Sequence, residues 1–225
     1  MVQKASGQRL DRYLEERLLR PLGIGAHSWV YDAAGNPYAA GGLSLLPRDF
    51  VKIGQLVLDR GRWGGRQLVS VDWIETSLAQ GQPFEPRAGL LWFRLLAYEH
   101  YTVGADLENR LRAAHAPAAL VAALAPLAGR TFQSRTDYHQ ALAAALGSDW
   151  PAILDREIRE RGVELVGVRA GEALGYQTNG YLGQYLVILP EPRVVAVRMI
   201  RRAPAYDPAA DGFGSFIDRV QALAL

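Results

Sequence analysis

Acyl transfer through a serine needs a base within hydrogen-bond reach of the hydroxyl. The spacing of this chain provides no such pair along the sequence. A Ser-x-x-Lys arrangement would put an amine one helical turn from the hydroxyl, but lysine occurs only as Lys4 and Lys52, and three residues upstream stand Met1 and Asp49. Ser44 and Ser215 lie in glycine-containing stretches, yet neither has glycine at both positions of a Gly-x-Ser-x-Gly elbow. His27, His100, His115 and His139 are scattered without the spacing of a metal site, and cysteine is absent, which removes thiolate nucleophiles, Cys-ligated metals and disulfides. Gly23-Ile24-Gly25 lacks the third glycine and preceding strand of a phosphate cradle. Glu15-Glu16 and Asp155 with Glu157 have the pattern of solvated helix faces. We therefore expect no catalytic nucleophile, no metal and no other cofactor in this chain.

What remains is Thr178-Asn179-Gly180-Tyr181, directly before the apolar run that leads to Pro190-Glu191-Pro192-Arg193 and a second apolar run. Two readings of it stay open. An Asn-Gly pair suits a turn with φ > 0 at Asn179 or Gly180. Small residues at a strand end also let a substrate approach the backbone, with N–H groups aimed into a cleft.

The elements that must hold this stretch follow from periodicity. Residues 6–22 read as an amphipathic helix, with Ser6 as N-cap and Leu10, Tyr13, Leu14 and Leu18 on one face, ending at Pro21 and Gly23. Residues 29–42 read as loop. Pro47 opens a helix whose buried stripe is Phe50, Ile53, Gly54 and Val57, and Ser70 caps a short helix through Trp73, Ile74 and Ser77. Residues 89–96 suit a buried strand. Residues 103–162 are alanine-rich with helical spacing, broken at Pro117, Gly129, Gly147 and Gly162, with Ser134 and Asp149 preceding two of the helices. Strand chemistry returns over 173–200. A closing helix over 213–225 carries Phe216, Ile217, Val220 and Leu223.

The expected fold class is α+β (mixed α/β): an antiparallel sheet flanked by helices, with an all-helical insertion between two strands of one sheet. The expected parts are 1–97, helical with a first sheet strand; 98–165, the helical insertion; and 166–225, the sheet hairpin and closing helix.

Composition narrows the partners. With 49% hydrophobic and 21% charged residues, the chain has material for a real core. The formal charge of +2 is spread along the sequence, and no basic cluster is interleaved with aromatics, so nucleic acid is not an expected partner. No apolar run is long enough to span a bilayer. The first residues, Met1-Val-Gln-Lys-Ala-Ser-Gly7, hold no apolar segment of a secretory signal, which leaves the compartment open.

Several stretches, in order, resemble class C β-lactamase-like serine hydrolases, a family that includes penicillin-binding-protein-like enzymes, esterases and 6-aminohexanoate-dimer hydrolases. They are Ala5–Leu14 followed by Arg20-Pro-Leu-Gly-Ile24, then Ala40-Gly-Gly-Leu-Ser44, Arg48-Asp-Phe-Val-Lys-Ile-Gly-Gln-Leu56, Gly61-Arg-Trp-Gly-Gly-Arg-Gln-Leu-Val69 with Trp73, and Gly175–Tyr185. The resemblance covers residues 2–97 and 173–222. It implies a β-lactamase-like sheet, without the strands that precede these elements in the family, and acyl-enzyme hydrolysis of amides or esters such as β-lactams, D-Ala peptides or small esters. Carried over by motif, Thr178, Asn179 and Gly180 occupy the third motif, with Thr178 in place of its usual cation, and the Tyr181 N–H is the oxyanion donor.

The family's Ser-x-x-Lys and Tyr-x-Asn have no counterpart here. The resemblance thus implies the C-terminal portion of such a hydrolase, inactive alone, taking a small amide or ester only when completed by further segments, and prone to self-association or pairing with a partner chain. Relatives are often bacterial proteins of the periplasm or secreted. The alternative is a non-catalytic binding module on the same scaffold.

Overall fold

The computed structural model describes residues 2–82, 84–201, 205–207, 213 and 215–223. The chain divides into two compact units. Unit 1 comprises residues 1–95 and 174–225, and unit 2 residues 96–173.

The frame of unit 1 is a four-stranded sheet in the order β11-β10-β9-β5, formed by Val194–Arg198 (β11), Gln184–Leu189 (β10), Ala173–Gly180 (β9) and Phe93–Leu96 (β5). β10 runs antiparallel to both neighbours, with Tyr176↔Ile188 and Thr178↔Leu186 on one side and Leu186↔Val197 and Ile188↔Val195 on the other. Directly opposed residues share a face. Thr178, Leu186 and Val197 therefore point one way, and Asn179, Tyr185 and Arg198 the other.

Each face has its own cover. The Leu186–Ile188 face packs on α3 (Pro47–Leu58) and α4 (Val71–Leu78), through Val57, Ile74 and Leu78. The opposite face, Val187 with Leu189, takes Phe216, Ile217 and Val220 of α9 (Phe216–Leu223). β10 is buried from Leu186 to Leu189, as expected for a central strand covered on both sides. Of the closing helix's expected apolar face, Leu223 is instead 89% exposed, and residues 224 and 225 lie outside the described residues.

α3 begins as anticipated, with Pro47 at its first position, and α4 is capped by the Ser70 hydroxyl, which accepts from the Trp73 N–H at 3.2 Å. What sets the distance of α3 from the sheet is Gly54. A Cβ there would stand 2.5 Å from Val195 Cγ1 and 2.7 Å from Leu186 Cδ1, so only hydrogen fits. On its other side α3 packs Leu56 against Leu19, Leu22 and Ile24.

The expected single helix over 6–22 is interrupted. α1 (Val2–Ser6) ends at Gly7, φ +73, and the Ser6 hydroxyl bonds the Val2 carbonyl and accepts from the Gln8 N–H instead of capping a following helix. α2 (Leu10–Leu14) then continues into a π turn, Glu15–Leu19. The expected loop over 29–42 is bracketed by a short antiparallel pair, β1 (His27–Trp29) with β2 (Leu43–Leu45). The strand expected over 89–96 is shorter and half-exposed: residues 89–92 form a turn with Leu91 at φ 64 and 94% exposed, leaving β5 for the rest.

Unit 2 corrects the expectation of an all-helical insertion. β6 (Glu99–Val103), β7 (Thr131–Phe132) and β8 (Val166–Ala170) form an antiparallel sheet in the order β7-β6-β8. The alternation that betrays β6 lasts only five residues, with Glu99, Tyr101 and Val103 buried and Thr102 exposed, ahead of a long alanine-rich stretch that dominates the composition. The helices are α5 (Leu107–Ala113), α6 (Ala118–Leu124), α7 (Arg135–Leu146) and α8 (Trp150–Leu154). Their core gathers Leu107, Leu111, Leu124 and Leu142 around Tyr101 and Val103. The α7 start follows the sequence expectation: Ser134 Oγ accepts from the Asp137 N–H at 3.1 Å and donates to the Asp137 carboxylate at 2.8 Å.

Two outcomes follow from this packing. Gly54→Ala gains about 1 kcal/mol of helix propensity and incurs about 1–3 kcal/mol of overpacking. The net expectation is a loss of about 1 kcal/mol in urea unfolding, and Gly54→Val loses more. A gain for either variant would mean that α3 does not lie as close to the sheet as described.

In unit 2, burial first and Arg135 second hold the His139 imidazole, whose ring lies 4.7 Å from that of Trp150, below its ordinary value of 6.5. Folding favours the neutral ring, so this contribution is complete above pH 6.5 and is lost as the pH falls from there to the folded pKa. His139→Gln is expected to flatten the decline in urea midpoint between pH 7.5 and pH 5. An unchanged decline would remove His139 as its source.

Candidate functional site

Thr178, Asn179, Gly180 and Tyr181 lie at the C-terminal end of β9 and the first position of the turn into β10. Register fixes their directions. Thr178 faces the α3 side, opposite Leu186, and Asn179 the α9 side, opposite Tyr185, while Gly180 pairs with Gln184. The positive φ values expected at Asn179 or Gly180 fall instead at Leu182 (67°) and Gly183 (75°). The Asn-Gly pair thus ends a strand, and the reversal follows it. Gly183 N–H donates to the Gly180 carbonyl at 3.2 Å to close the turn.

This strand end is held from the β11 side. The Gln184 side-chain amide acts as one more backbone unit: its Nε2 donates to the Ile200 carbonyl at 2.7 Å, and its Oε1 accepts from the Ile200 N–H at 2.9 Å. Arg198 Nη1 donates to the turn carbonyl of Gly183 and, at 3.4 Å, to that of Leu182. Tyr181 itself is 76% exposed, and no backbone–backbone hydrogen bond involves it among the described residues. The arrangement leaves one peptide N–H outside the ladder, with Thr178 on one face of the strand and Asn179 on the other, and a preorganised N–H is the kind of donor that oxyanion stabilisation uses.

Several other reactive groups are committed elsewhere. Lys52 bridges the Asp49 carboxylate at 2.7 Å and the Gly23 carbonyl at 2.8 Å, tying α3 to the chain after the π turn. Ser70 and Ser134 are caps, and buried Ser77 donates to the Ile74 carbonyl at 2.9 Å. Tyr176 packs with Ile188 against α3 and α4. Among the described residues no group of three His, Asp or Glu side chains is arranged to hold a metal.

Sequence reasoning passed over one polar cluster. Asp11, Arg12, Glu15, Arg20, His27 and Trp29 line a cavity of about 260 Å³ beside the π turn. His27 Nε2 approaches Glu15 Oε2 to 3.0 Å, an ion-pair distance without the direction of a hydrogen bond. His27 Nδ1 and Trp29 Nε1 are also buried without a protein partner. The available signal was the alternation His27-Ser28-Trp29, which puts both rings on one face of β1.

No family model matches this chain. A sequence relative is the 6-aminohexanoate-dimer hydrolase of Paenarthrobacter ureafaciens, 32% identical over 82 residues, a match spanning 36% of this chain and 21% of that protein. Among solved structures, the fold is similar to the "putative beta-lactamase from Bacteroides dorei DSM 17855", at 14% identity and TM-score 0.49, covering 99% of this chain and 54% of that one. The chain therefore spans about half the length of that structure and about a fifth of the curated relative.

If the Gln184 amide holds the hairpin mouth, Gln184→Leu speeds hydrogen exchange at the Ile200 amide by at least about tenfold, corresponding to loss of one or two buried hydrogen bonds. Equal protection in the variant would show that Ile200 is held by something else. The likeness to β-lactamase-like hydrolases, read first from ordered motifs, is supported by the sequence match over about a third of the chain.

Proposed function

We propose that the Thr178–Tyr181 strand end is the oxyanion side of an acyl-transfer pocket of β-lactamase-like serine-hydrolase type, acting on amide or ester bonds, and that these 225 residues do not turn such bonds over unaided. The observation that carries this is the hairpin. Exposed Tyr181, whose N–H makes no backbone–backbone hydrogen bond among the described residues, follows a paired strand end braced by Gln184 and Arg198, at the position the family motif assigns to the oxyanion donor.

The chemistry divides cleanly. In the family mechanism a serine Oγ attacks the substrate carbonyl carbon, and its proton passes to the lysine or tyrosine base. The tetrahedral oxygen takes negative charge, and water later releases the acyl group. On this reading the Tyr181 N–H donates to the oxyanion, and of Thr178 and Asn179, which take opposite faces of the strand, only the one on the pocket's face borders the acyl group. The sequence contains no Ser-x-x-Lys, and its one lysine inside a packed helix is bound to Asp49, so the lysine base of the family mechanism has no counterpart here. The amide substrate in the relative's name, the 6-aminohexanoate dimer, is the first to test.

The purified chain is expected to show background turnover of the linear 6-aminohexanoate dimer and of p-nitrophenyl acetate, and no labelling by a fluorophosphonate. Stoichiometric labelling of any serine would overturn the second half of the proposal. In a chimera supplying a Ser-x-x-Lys and Tyr-x-Asn segment, Tyr181→Pro, which deletes the N–H, is expected to lower kcat by about 10²–10³ while Tyr181→Phe leaves it unchanged. Equal kcat in the two variants would remove Tyr181 from the oxyanion role.

A further inference from the structure

The far end of the same sheet carries a different chemistry. β10 runs six residues from Gln184, beside the hairpin mouth, to Leu189, and its five steps span roughly 17 Å at about 3.3 Å each. There, Arg193 of the β10–β11 turn meets the C-terminal end of α3 and the hairpin of β3 (Arg62–Trp63) and β4 (Arg66–Gln67). Together they line a cleft of about 770 Å³, within the range of small-ligand sites. Arg60, Arg62 and Arg193 all line it together with Asp59, and Glu75 pairs with Arg60 from outside the lining.

The three guanidiniums are not equivalent. Arg193 is paired with Asp59 at 2.6 Å, and Arg60 with Glu75. Gln55 Nε2 donates to the other Asp59 oxygen at 2.7 Å, and that bond, followed by Arg193, holds the Asp59 carboxyl below its usual range, so it stays ionised and keeps Arg193 in place. Arg62 has no carboxylate partner among the described residues and reaches only the Gly65 carbonyl, at a long 3.4 Å. Gly64 and Gly65, both at positive φ, make the two-residue β3–β4 turn, and a Cβ on either would meet nothing within 4 Å. The turn backbone therefore borders open space beside a guanidinium with donors to spare.

We infer that this cleft is a binding site for a small multivalent oxyanion, a phosphate or a polycarboxylate, with Arg62 as its anchoring fork and the ion-paired Arg60 and Arg193 as flanking N–H donors. A planar guanidinium presents paired N–H donors that match either group. Arg193 and Arg60, held in place by Asp59 and Glu75, add N–H donors with little net charge, which comes from Arg62. The site is separate from the Thr178–Tyr181 hairpin, and neither assignment depends on the other.

The test is a titration of the full chain with inorganic phosphate and, separately, citrate, each against sodium chloride at matched ionic strength. It is followed through the Trp63 indole and the Gly64 and Gly65 amide signals by NMR. Saturable shifts with either oxyanion and not with chloride are expected, at least tenfold weaker in Arg62→Ala and unchanged in Arg66→Ala, whose side chain does not line the cleft. Saturation by phosphate alone or by citrate alone identifies which oxyanion is taken. Linear shifts equal to those with chloride, or saturation indifferent to Arg62→Ala, would overturn the assignment. Arg62 is exposed, so its variant should keep the wild-type spectrum elsewhere and show whether any loss of binding is local.

Discussion

The close approach of α3 to the central strands is the constraint on which unit 1 depends. A helix normally stands off a sheet by the size of the side chains between them, and α3 removes one of those side chains at Gly54, opposite Val195 and Leu186. That contact brings Val57 onto Ile188 and leaves Leu56 to bind the amino-terminal segment through Leu19, Leu22 and Ile24. One helix thus organises two cores. With α9 covering the other face, β10 is closed on both sides, so a register slip of one residue would exchange Leu186 and Ile188 with Val187 and Leu189 between two differently shaped surfaces.

Fixed register is what makes the hairpin mouth a defined place. Thr178 and Asn179 take opposite faces because Leu186 and Tyr185 do, and their positions are inherited from a core several residues away. The mouth would otherwise fray, as strand ends do, but the Gln184 amide extends the ladder to Ile200 and Arg198 holds the turn carbonyls. Leu182 in the left-handed region carries about 1 kcal/mol or more of strain that a glycine would not. The bracing offsets a backbone that is not at its local minimum.

How much of this was legible follows the range of each signal. The helix starts at Pro47, Ser70 and Ser134 and the antiparallel hairpin around Pro190–Arg193 were readable, because caps and turns are local chemistry. β6 was not, since five alternating residues are outweighed by the alanine-rich run after them. The break at Gly7 was hidden because its cause is the Ser6 hydroxyl turning back onto Val2, a choice between two local bonds that the sequence permits equally. At the candidate site the residues were readable as a motif and their backbone was not: the positive φ moved to Leu182 and Gly183, because pairing of Asn179 and Gly180 with β10 leaves those two residues to make the reversal. The arginine cleft was invisible, since Asp59–Arg62 and Arg193 meet only through the fold.

The distribution of charge completes the physical picture. Lys52, Arg60 and Arg193 are each held by a carboxylate, and Arg198 by turn carbonyls, so most cations near the sheet are structural ties with little freedom to move a proton or follow a ligand. An N–H at the hairpin mouth needs no such freedom, since an amide dipole stabilises an oxyanion without changing its own protonation. A guanidinium outside these ion pairs likewise acts as a fixed donor. In the two assignments proposed above, the groups at the two ends of the unit 1 sheet would both act on an anion at constant charge. Recognition of an anion at either end of the sheet asks no side chain to move a proton.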